Sequence, residues 1–309
     1  MVQVFIDGKE GTTGLRIFDR LAGRKDIALL TLKEEQRKER SARKEMLNSC
    51  DIAFLCLPDA AAQEAVALIE NERTRVIDAS TAHRTLPGWQ YGFPELFENG
   101  FAKVKNAPRV AVPGCHASGF IALIYPLIQA GFLEKDALLT CHSLTGYSGG
   151  GKKMIAEYEA DKRSRLLDAP RQYGITQQHK HLKEMQAVCG LQNAPVFCPI
   201  VAPFYSGMLV TVPLFAKQLK KGGIEDIRRL YTAQYGGPLV RYSENSDEAG
   251  FLSSNARQGS DAMEISVFGN EERLLLTARY DNLGKGASGA AIECMNIMLG
   301  CDPLTGLEI

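Results

Sequence analysis

The sequence predicts an α/β protein that begins with a doubly wound parallel sheet and continues as an α+β domain with a mixed or antiparallel sheet. Strand-like apolar runs alternate with helical segments over the first 115 residues, a pattern typical of parallel sheets covered by helices. Further along the chain, two strand-like runs flank Gly269–Glu272, which indicates a hairpin. A length of 309 residues allows two domains of ordinary size.

Composition excludes several classes of protein. The chain is 45% hydrophobic and 23% charged, as expected for a globular protein with a full core. It carries 36 basic and 36 acidic residues, so its charge favours neither a nucleic-acid nor a membrane partner. The eight cysteines form no CxxC pair, which argues against a structural zinc site or a disulfide framework and favours a reducing cytoplasm.

A glycine-rich turn follows the first predicted strand, Val2–Ile6. Gly8, Gly11 and Gly14 precede apolar residues at helical spacing in Leu15–Leu21. Glycines allow the backbone to approach a pyrophosphate, and the start of a helix supplies N–H donors. Many tight turns share this spacing, but its place between a strand and a helix predicts a Rossmann-type dinucleotide site.

The second predicted strand, Ile27–Leu32, bears on the choice of cofactor. A site that prefers NAD usually has an acidic residue at the end of this strand, where it binds the ribose hydroxyls. Here Lys33 follows, and Arg37 is one of several basic residues nearby, which favours the 2′-phosphate of NADP. Alternatively, the mixed-charge segment Lys33–Lys44 is only a solvated helix face.

The remaining elements continue the same pattern. In the first half we predict a helix and three buried strands: Ala60–Asn71, and then Asp51–Leu57, Arg75–Ser80 and Arg109–Val112. In the second half we predict four strands and a final helix: Ala137–Ser143, Met208–Leu214, Ala262–Phe268, Arg273–Arg279 and Ala290–Leu299.

Cys115 is the candidate nucleophile. It follows a short strand and the turn Pro113–Gly114, and it precedes an apolar run of helical length. A thiol at a helix start faces unpaired N–H groups and the positive end of the helix dipole, which favours its reactive thiolate. The same N–H groups could stabilise an oxyanion. The alternative is a buried and inert cysteine.

A thiol that attacks a carbonyl needs a base, and histidine is suited to this at neutral pH. His179 and His181 form an HxH pair, and Glu184 would share a helix face with His181. A carboxylate there could orient the imidazole. The pair could also belong to a metal site, for which no third ligand is evident, or be a surface accident, and His116 is a competing base.

A second glycine loop, Leu144–Gly151, follows a predicted strand and precedes two lysines. The amide of Gly149, the hydroxyl of Ser148 and the ammonium of Lys152 suit an oxyanion or a phosphate group. A flexible surface loop is the alternative interpretation.

In combination these motifs resemble the shorter-chain form of the N-acetyl-γ-glutamyl-phosphate reductases, NADPH-dependent enzymes of arginine biosynthesis within the aspartate-semialdehyde dehydrogenase-like superfamily. The resemblance runs nearly end to end. The segments that carry it are Gly8–Gly14, Asp78–Arg84, Pro113–Cys115, His142–Gly151, His179–Glu184 and Asp281–Gly286.

The resemblance implies roles for single residues. Cys115 would carry an acyl thioester, and a histidine of the HxH pair, His181 rather than His179, would be the base with Glu184 beside it. The residues expected to bind NADP are Gly8, Gly11, Thr12, Thr13, Gly14, Arg37, Ser80, Asn282 and Gly286. Those expected to bind substrate are Arg84, Ser148, Gly149 and Lys152.

The resemblance also implies an organisation. Residues 1–115 would form the dinucleotide-binding domain, completed by the C-terminal helix 285–309, and residues 116–284 a catalytic and dimerisation domain of a dimer or tetramer. The chain departs from the family pattern at Lys183, where proline is expected, and at Tyr205–Ser206, where the longer form has arginine. Candidates for the group that binds phosphate or carboxylate therefore include Arg163 and Arg171 besides Arg84 and Lys152.

Two alternatives remain open at this point. One is an aspartate-semialdehyde dehydrogenase, which would also use a thiol and NADP but would act on a shorter substrate with a free amine. The other is an NADP-binding sensor without enzymatic activity, although a sensor has no need of a primed thiol and a base.

Overall fold

The computed structural model describes residues 1–309 and divides them between two units. The first unit consists of Met1–Pro94, Asn99–Pro113 and Ala287–Leu307. The second unit consists of Glu95–Glu98, Gly114–Gly286 and Glu308–Ile309.

The first unit contains a six-stranded sheet in which every pairing is parallel. Its strands are β1 Val2–Asp7, β2 Ile27–Leu30, β3 Ile52–Leu55, β4 Arg75–Asp78, β5 Gln90–Tyr91 and β6 Arg109–Ala111, in the order β2-β1-β3-β4-β6-β5. The five strands predicted in this region are confirmed. The sequence did not predict β5, because two residues are too few to show a strand period.

Helices pack on this sheet, and one of them comes from the end of the chain. They are α1 Thr12–Leu21, α2 Arg40–Ser49, α3 Asp59–Leu68, α4 Gly100–Asn106 and α9 Gly289–Leu299. Every residue of α9 from Gly289 to Met298 is buried, and its apolar side chains join those of β1, β3 and β6 in one core cluster. A helix with so many apolar residues is stable inside a core, which explains its place in the first unit.

The second unit contains a seven-stranded mixed sheet in the order β11-β12-β13-β10-β7-β9-β8. Its strands are β7 Thr140–Gly146, β8 Arg171–Gln172, β9 Val196–Ala202, β10 Met208–Phe215, β11 Val240–Tyr242, β12 Met263–Gly269 and β13 Arg273–Tyr280. The parallel sheet and the mixed sheet confirm the predicted fold class. The strand predicted at Ala137–Ser143 begins and ends three residues later, because its pairing with β9 starts at Thr140. The sequence did not predict β9, because Pro199 lies inside it and proline is uncommon within strands.

Four helices belong to this unit: α5 Cys115–Gln129, α6 Gly151–Glu159, α7 His181–Cys189 and α8 Ile224–Gln234. Almost all of α5 is buried although Pro126 lies within it. Proline has no N–H, so the carbonyl of Ala122 one turn earlier loses its helical partner. The hydroxyl of Tyr235 on the segment after α8 donates to that carbonyl at 2.7 Å, which satisfies it.

Candidate active site

Cys115 is the first residue of α5, as the sequence predicted, and Gly114 precedes the helix. The main-chain N–H of Gly114 donates to Oε1 of Glu184 at 2.8 Å, while the side chain of Cys115 is partly exposed. The first turn of α5 contains no acidic residue. Cys115 therefore lies at the positive end of the α5 helix dipole.

Gly286 lies against the nucleophile. A Cβ atom added to Gly286 would stand 3.2 Å from the Cβ of Cys115, tighter than an ordinary contact. The N–H of Gly286 donates to the carbonyl of Asp281 at 3.1 Å, which fixes the glycine in place. The structure thus places Gly286, predicted as a cofactor residue, next to the thiol.

The HxH pair lies at the start of a helix. α7 begins at His181, so the helix inferred for this segment is confirmed, and His181 and Glu184 lie one turn apart and are both buried. His179 precedes the helix, and its Nδ1 accepts a hydrogen bond from the N–H of His181 at 3.2 Å. Burial first, and then the charge of Lys180, lower the pKa of His179.

His116, the competing base, has both ring nitrogens occupied. Its Nδ1 lies 2.7 Å from Oγ of Ser143 and its Nε2 lies 2.6 Å from the hydroxyl of Tyr173. Burial, with a smaller contribution from His179, lowers the pKa of His116 to about 3. His116 is therefore a neutral, structural imidazole, and it packs against His181 with 5.6 Å between the ring centroids. No group of three or more metal-ligating side chains in the chain is arranged to hold a metal ion.

The second glycine loop meets a distant part of the chain. Nδ2 of Asn282 donates to Oγ of Ser148 at 3.0 Å, and Oδ1 of Asn282 accepts from the N–H of Gly207 at 2.9 Å. A Cβ atom on Gly149 would lie 3.4 Å from Nδ2 of Asn282. Asn282, Ser148 and Gly149 are thus brought together, while Lys152 is exposed on the first turn of α6.

The arginine candidates have protein partners. Arg84, in the first unit, donates to the carbonyl oxygens of Val112 at 2.9 Å and Ala79 at 3.1 Å. In the second unit, Arg163 pairs with Asp168 and Arg171 donates to the hydroxyl of Tyr158. Each guanidinium therefore supports a local turn or strand.

The predicted dinucleotide loop has the geometry that a phosphate requires. Gly8 adopts a φ of +88°, and a Cβ atom there would lie 2.3 Å from the carbonyl oxygen of Cys56. A Cβ atom on Gly14 would lie 2.5 Å from the carbonyl oxygen of Gly8, so the turn closes only with glycine. Gly11 precedes α1, which starts with Thr12 and Thr13 and has no acid in its first turn, and the buried Oγ1 of Thr12 has no hydrogen-bond partner. These donors fit a dinucleotide pyrophosphate.

A cavity of about 750 Å³ adjoins this loop at the carboxyl ends of β1 and β2. Arg37 and Arg43 both line it. Arg37 forms ion pairs with Glu34 at 2.6 Å and with Glu10 at 3.1 Å, so two carboxylates hold its guanidinium at the cavity. Ser80 does not line it, and its hydroxyl instead donates to Asp78 at 2.7 Å within the turn after β4.

Comparison with known proteins decides the family. The chain is 46% identical to N-acetyl-gamma-glutamyl-phosphate reductase from Rhizobium meliloti (strain 1021), over 96% of this chain and 98% of that protein. It is 44% identical to N-acetyl-gamma-glutamyl-phosphate reductase 2 from Pseudomonas putida, over 96% of both. The chain belongs to the N-acetyl-γ-glutamyl-phosphate reductase family.

Two family models agree with this membership. Residues 115–282 match the semialdehyde dehydrogenase dimerisation domain, and residues 30–104 match the semialdehyde dehydrogenase NAD binding domain. The family and the enzyme class expected from the sequence, an oxidoreductase with a nicotinamide cofactor, are thereby confirmed. In this reductase no helix has the length and apolar character needed to cross a membrane.

Solved structures share the fold of this reductase. Aspartate semialdehyde dehydrogenase from Francisella tularensis superimposes with a TM-score of 0.71 at 16% identity, covering 97% of this chain and all of that chain. Aspartate semialdehyde dehydrogenase II from Vibrio cholerae gives a TM-score of 0.70 at 15% identity, over 97% of this chain and 99% of that one. At such identities the likeness concerns the fold alone.

Sequence reasoning missed three buried charged residues of this reductase. Arg43 of α2 bonds Oδ2 of Asp7 at 2.9 Å, at the base of the nucleotide cavity. Asp281 accepts hydrogen bonds from the hydroxyl of Ser206 at 2.9 Å and from the N–H of Leu283 at 2.7 Å, which shapes the turn before Gly286. The signal for Asp7 was its place at the end of the first strand, directly before the glycine turn.

Proposed function

We propose that this protein reduces N-acetyl-γ-glutamyl phosphate to N-acetylglutamate 5-semialdehyde with NADPH, releasing phosphate. The relatives that share 42–46% identity over nearly the full chain carry the name of this reaction. The observation that supports it most directly is the placement of Cys115 at the start of the buried helix α5, with Gly114 held by Glu184.

Cys115 is the nucleophile in this proposal. Its thiolate attacks the γ-acyl carbon, a C–S bond forms, and the bond to the phosphate oxygen breaks. Backbone N–H groups at the start of α5 stabilise the oxyanion that forms during the attack. After hydride addition to the thioester carbon, the resulting thiohemiacetal collapses, the thiolate leaves and the aldehyde is released.

NADPH supplies the hydride when it is bound. The first turn of α1, with Thr12 and Thr13, would hold the pyrophosphate, and Arg37 at the cavity would bind the 2′-phosphate. Gly286, which lies beside Cys115, and Asn282, which bonds Ser148, would also contact the cofactor. Ser80, in the turn after β4, is the remaining proposed cofactor residue.

His181 takes the proton from the thiol of Cys115, with His179 as its neighbour and Glu184 as the carboxylate one turn along α7. The hydrogen bonds at both ring nitrogens of His116 favour His181 over His116 for this role. Ser148 and Gly149 bind the substrate oxygen atoms, and the cations of Lys152 and Arg84 are the candidates for its charged groups.

The assembly in this proposal is a homo-oligomer in the cytoplasm, built on a dimer. The matched family domain is named for dimerisation, and one face of the second sheet bears side chains that no helix covers. On adjacent strands of this face lie Leu275, Pro213, Thr211, His142, Cys198 and Val196. Leu275 is 43% exposed and Val196 is 57% exposed, and a second copy of this chain would bury them.

The test is the reverse reaction. Phosphate-dependent reduction of NADP is measured with N-acetylglutamate 5-semialdehyde and with aspartate semialdehyde, and kcat/KM should be at least ~100-fold higher for the first substrate. The Cys115→Ser variant should bind NADP normally and show no turnover, since a hydroxyl has no comparable anion near neutral pH. Equal or faster turnover of aspartate semialdehyde would contradict the proposed substrate, and an active Cys115→Ser variant would contradict the mechanism.

A further inference from the structure

The hydroxyl of Tyr280 lies between two main-chain groups of α5. It accepts a hydrogen bond from the N–H of Gly119 at 3.0 Å and donates to the carbonyl oxygen of Cys115. In a regular α-helix the N–H of residue 119 would donate to the carbonyl of residue 115. The hydroxyl therefore contacts both members of the first helical hydrogen bond that involves Cys115, at the turn that carries the nucleophile.

This bridge depends on a glycine. A Cβ atom added to Gly119 would lie 2.7 Å from the hydroxyl oxygen of Tyr280, so any larger residue would displace the hydroxyl. Tyr280 is the last residue of β13 and is fully buried, so the strand holds its ring firmly. The hydroxyl therefore anchors the first turn of α5, which is regular from Cys115 onward, to the end of β13.

The surroundings of Cys115 leave it little freedom to move. Gly286 packs closely against its Cβ, and Glu184 holds the N–H of Gly114 just before it. Burial, followed by the nearby Cys115, raises the pKa of Tyr280 well above its ordinary value. The phenol therefore keeps its proton and remains a donor to the Cys115 carbonyl throughout the working pH range.

We propose that Tyr280 is a positioning residue for Cys115: its hydroxyl anchors the first turn of α5 to the end of β13, and this sets the direction of the thiol toward the substrate carbon. The inference rests on the nucleophilic role of Cys115 proposed above. Without the hydroxyl, the first turn of α5 would lose its link to β13 at the nucleophile. The thiol would then move away from its attacking position.

The chain offers a matched control on the same helix. Tyr231 is also fully buried, and its hydroxyl donates to the carbonyl oxygen of Leu123 in the middle of α5. The N–H of Leu127 can still donate to that carbonyl when the hydroxyl is removed, just as the N–H of Gly119 can donate to the carbonyl of Cys115. Tyr231→Phe and Tyr280→Phe therefore each remove one buried hydroxyl on α5, but only the second lies at the nucleophile.

The experiment compares these two variants with the unmodified protein. Alkylation of Cys115 by iodoacetamide is followed by peptide mass spectrometry from pH 6 to 10, alongside kcat, the KM for NADPH and the melting temperature. A misplaced reacting group costs up to ~100-fold in rate. We expect Tyr280→Phe to lower kcat by ~10–100-fold and to change the pH dependence of alkylation, with the KM for NADPH unchanged. Tyr231→Phe should change kcat less than ~3-fold, while both variants lose similar thermal stability.

Each outcome decides the inference. Equal kinetic effects of Tyr280→Phe and Tyr231→Phe would overturn it, and so would an unchanged alkylation profile in Tyr280→Phe. A Tyr280→Phe variant that fails to fold, beside a folded Tyr231→Phe variant, would assign the hydroxyl to the fold and would also overturn it. The proposed function is tested separately, because an active Cys115→Ser variant would contradict it.

Discussion

Glu184 accepts a hydrogen bond from the main-chain N–H of Gly114 at 2.8 Å, although 70 residues separate the two in sequence. The contact joins the first turn of α7, where the histidine base is proposed, to the residue before the nucleophile. One carboxylate thereby ties the first turn of α7 to the residue before Cys115.

A substitution series tests this contact. Glu184→Gln retains an oxygen that can accept from Gly114, whereas Glu184→Ala leaves a buried N–H without a partner, which costs about 1–3 kcal/mol. We expect the free energy of unfolding, measured in urea, to fall by that amount only in Glu184→Ala. A similar loss in both variants would mean that charge, and not the hydrogen bond, is what Glu184 contributes.

The two histidines of the HxH pair should differ in kinetic effect. His181→Asn should lower kcat by ~10²–10⁴-fold, as expected for a positioned acid–base group, and His179→Asn should cost less. His179 already accepts a hydrogen bond through Nδ1, and its lowered pKa makes it a weaker base than an ordinary imidazole.

The check is the acidic limb of kcat/KM against pH for both variants. Loss of the limb in His179→Asn with a normal limb in His181→Asn would reverse the assignment. Loss in neither would place the base on another residue.

His116 should make the protein sensitive to acid. Its pKa is about 3 in the folded protein and 6.5 in the unfolded chain, so the unfolded chain binds one more proton between these values. The free energy of unfolding therefore falls as the pH drops below 6.5, by ~2 kcal/mol at pH 5 for this group. The measurement is urea unfolding at pH 7 and at pH 5. The free energy of unfolding lost between these pH values should be smaller by about this amount in His116→Gln than in the unmodified protein. An identical loss in both proteins would refute a neutral His116.

Arg37 should determine the preference for NADPH. Arg37→Ala should raise the KM for NADPH by ~10-fold or more and leave the KM for NADH nearly unchanged, because only NADPH carries the 2′-phosphate. Arg40→Ala is the control, since Arg40 is exposed and does not line the cavity. Equal changes in KM for the two cofactors, or an equal effect of Arg40→Ala, would indicate that this basic segment is only a solvated helix face.

Leu275 should report on assembly. A glutamate on the uncovered face of the second sheet would be buried in the proposed interface, where an uncompensated charge is strongly unfavourable. Leu275→Glu should therefore shift the mass in analytical ultracentrifugation to that of a smaller species. Lys217→Glu, a charge change on the 3₁₀ turn after β10, is the control, and an unchanged mass in Leu275→Glu would exclude this face as the interface.

Much of the site was predictable because it is local. A strand, a Pro-Gly turn and an apolar run place Cys115 at a helix start, and the residues responsible are its immediate neighbours. The glycine turn before α1 and the helix at His181 follow from spacing in the same way, since helical and strand periods are properties of short segments.

The tertiary structure decided which of these residues meet. Asn282 reaches Ser148 and Gly207, and Tyr280 reaches Cys115 across 165 residues, only because β13 and β10 pair in one register. His116 follows the nucleophile in sequence, yet its contacts with Ser143 and Tyr173 make it a neutral core residue. The reason is physical: a hydrogen bond depends on tenths of an ångström between distant segments, and these distances are set by strand register and core packing rather than by local sequence.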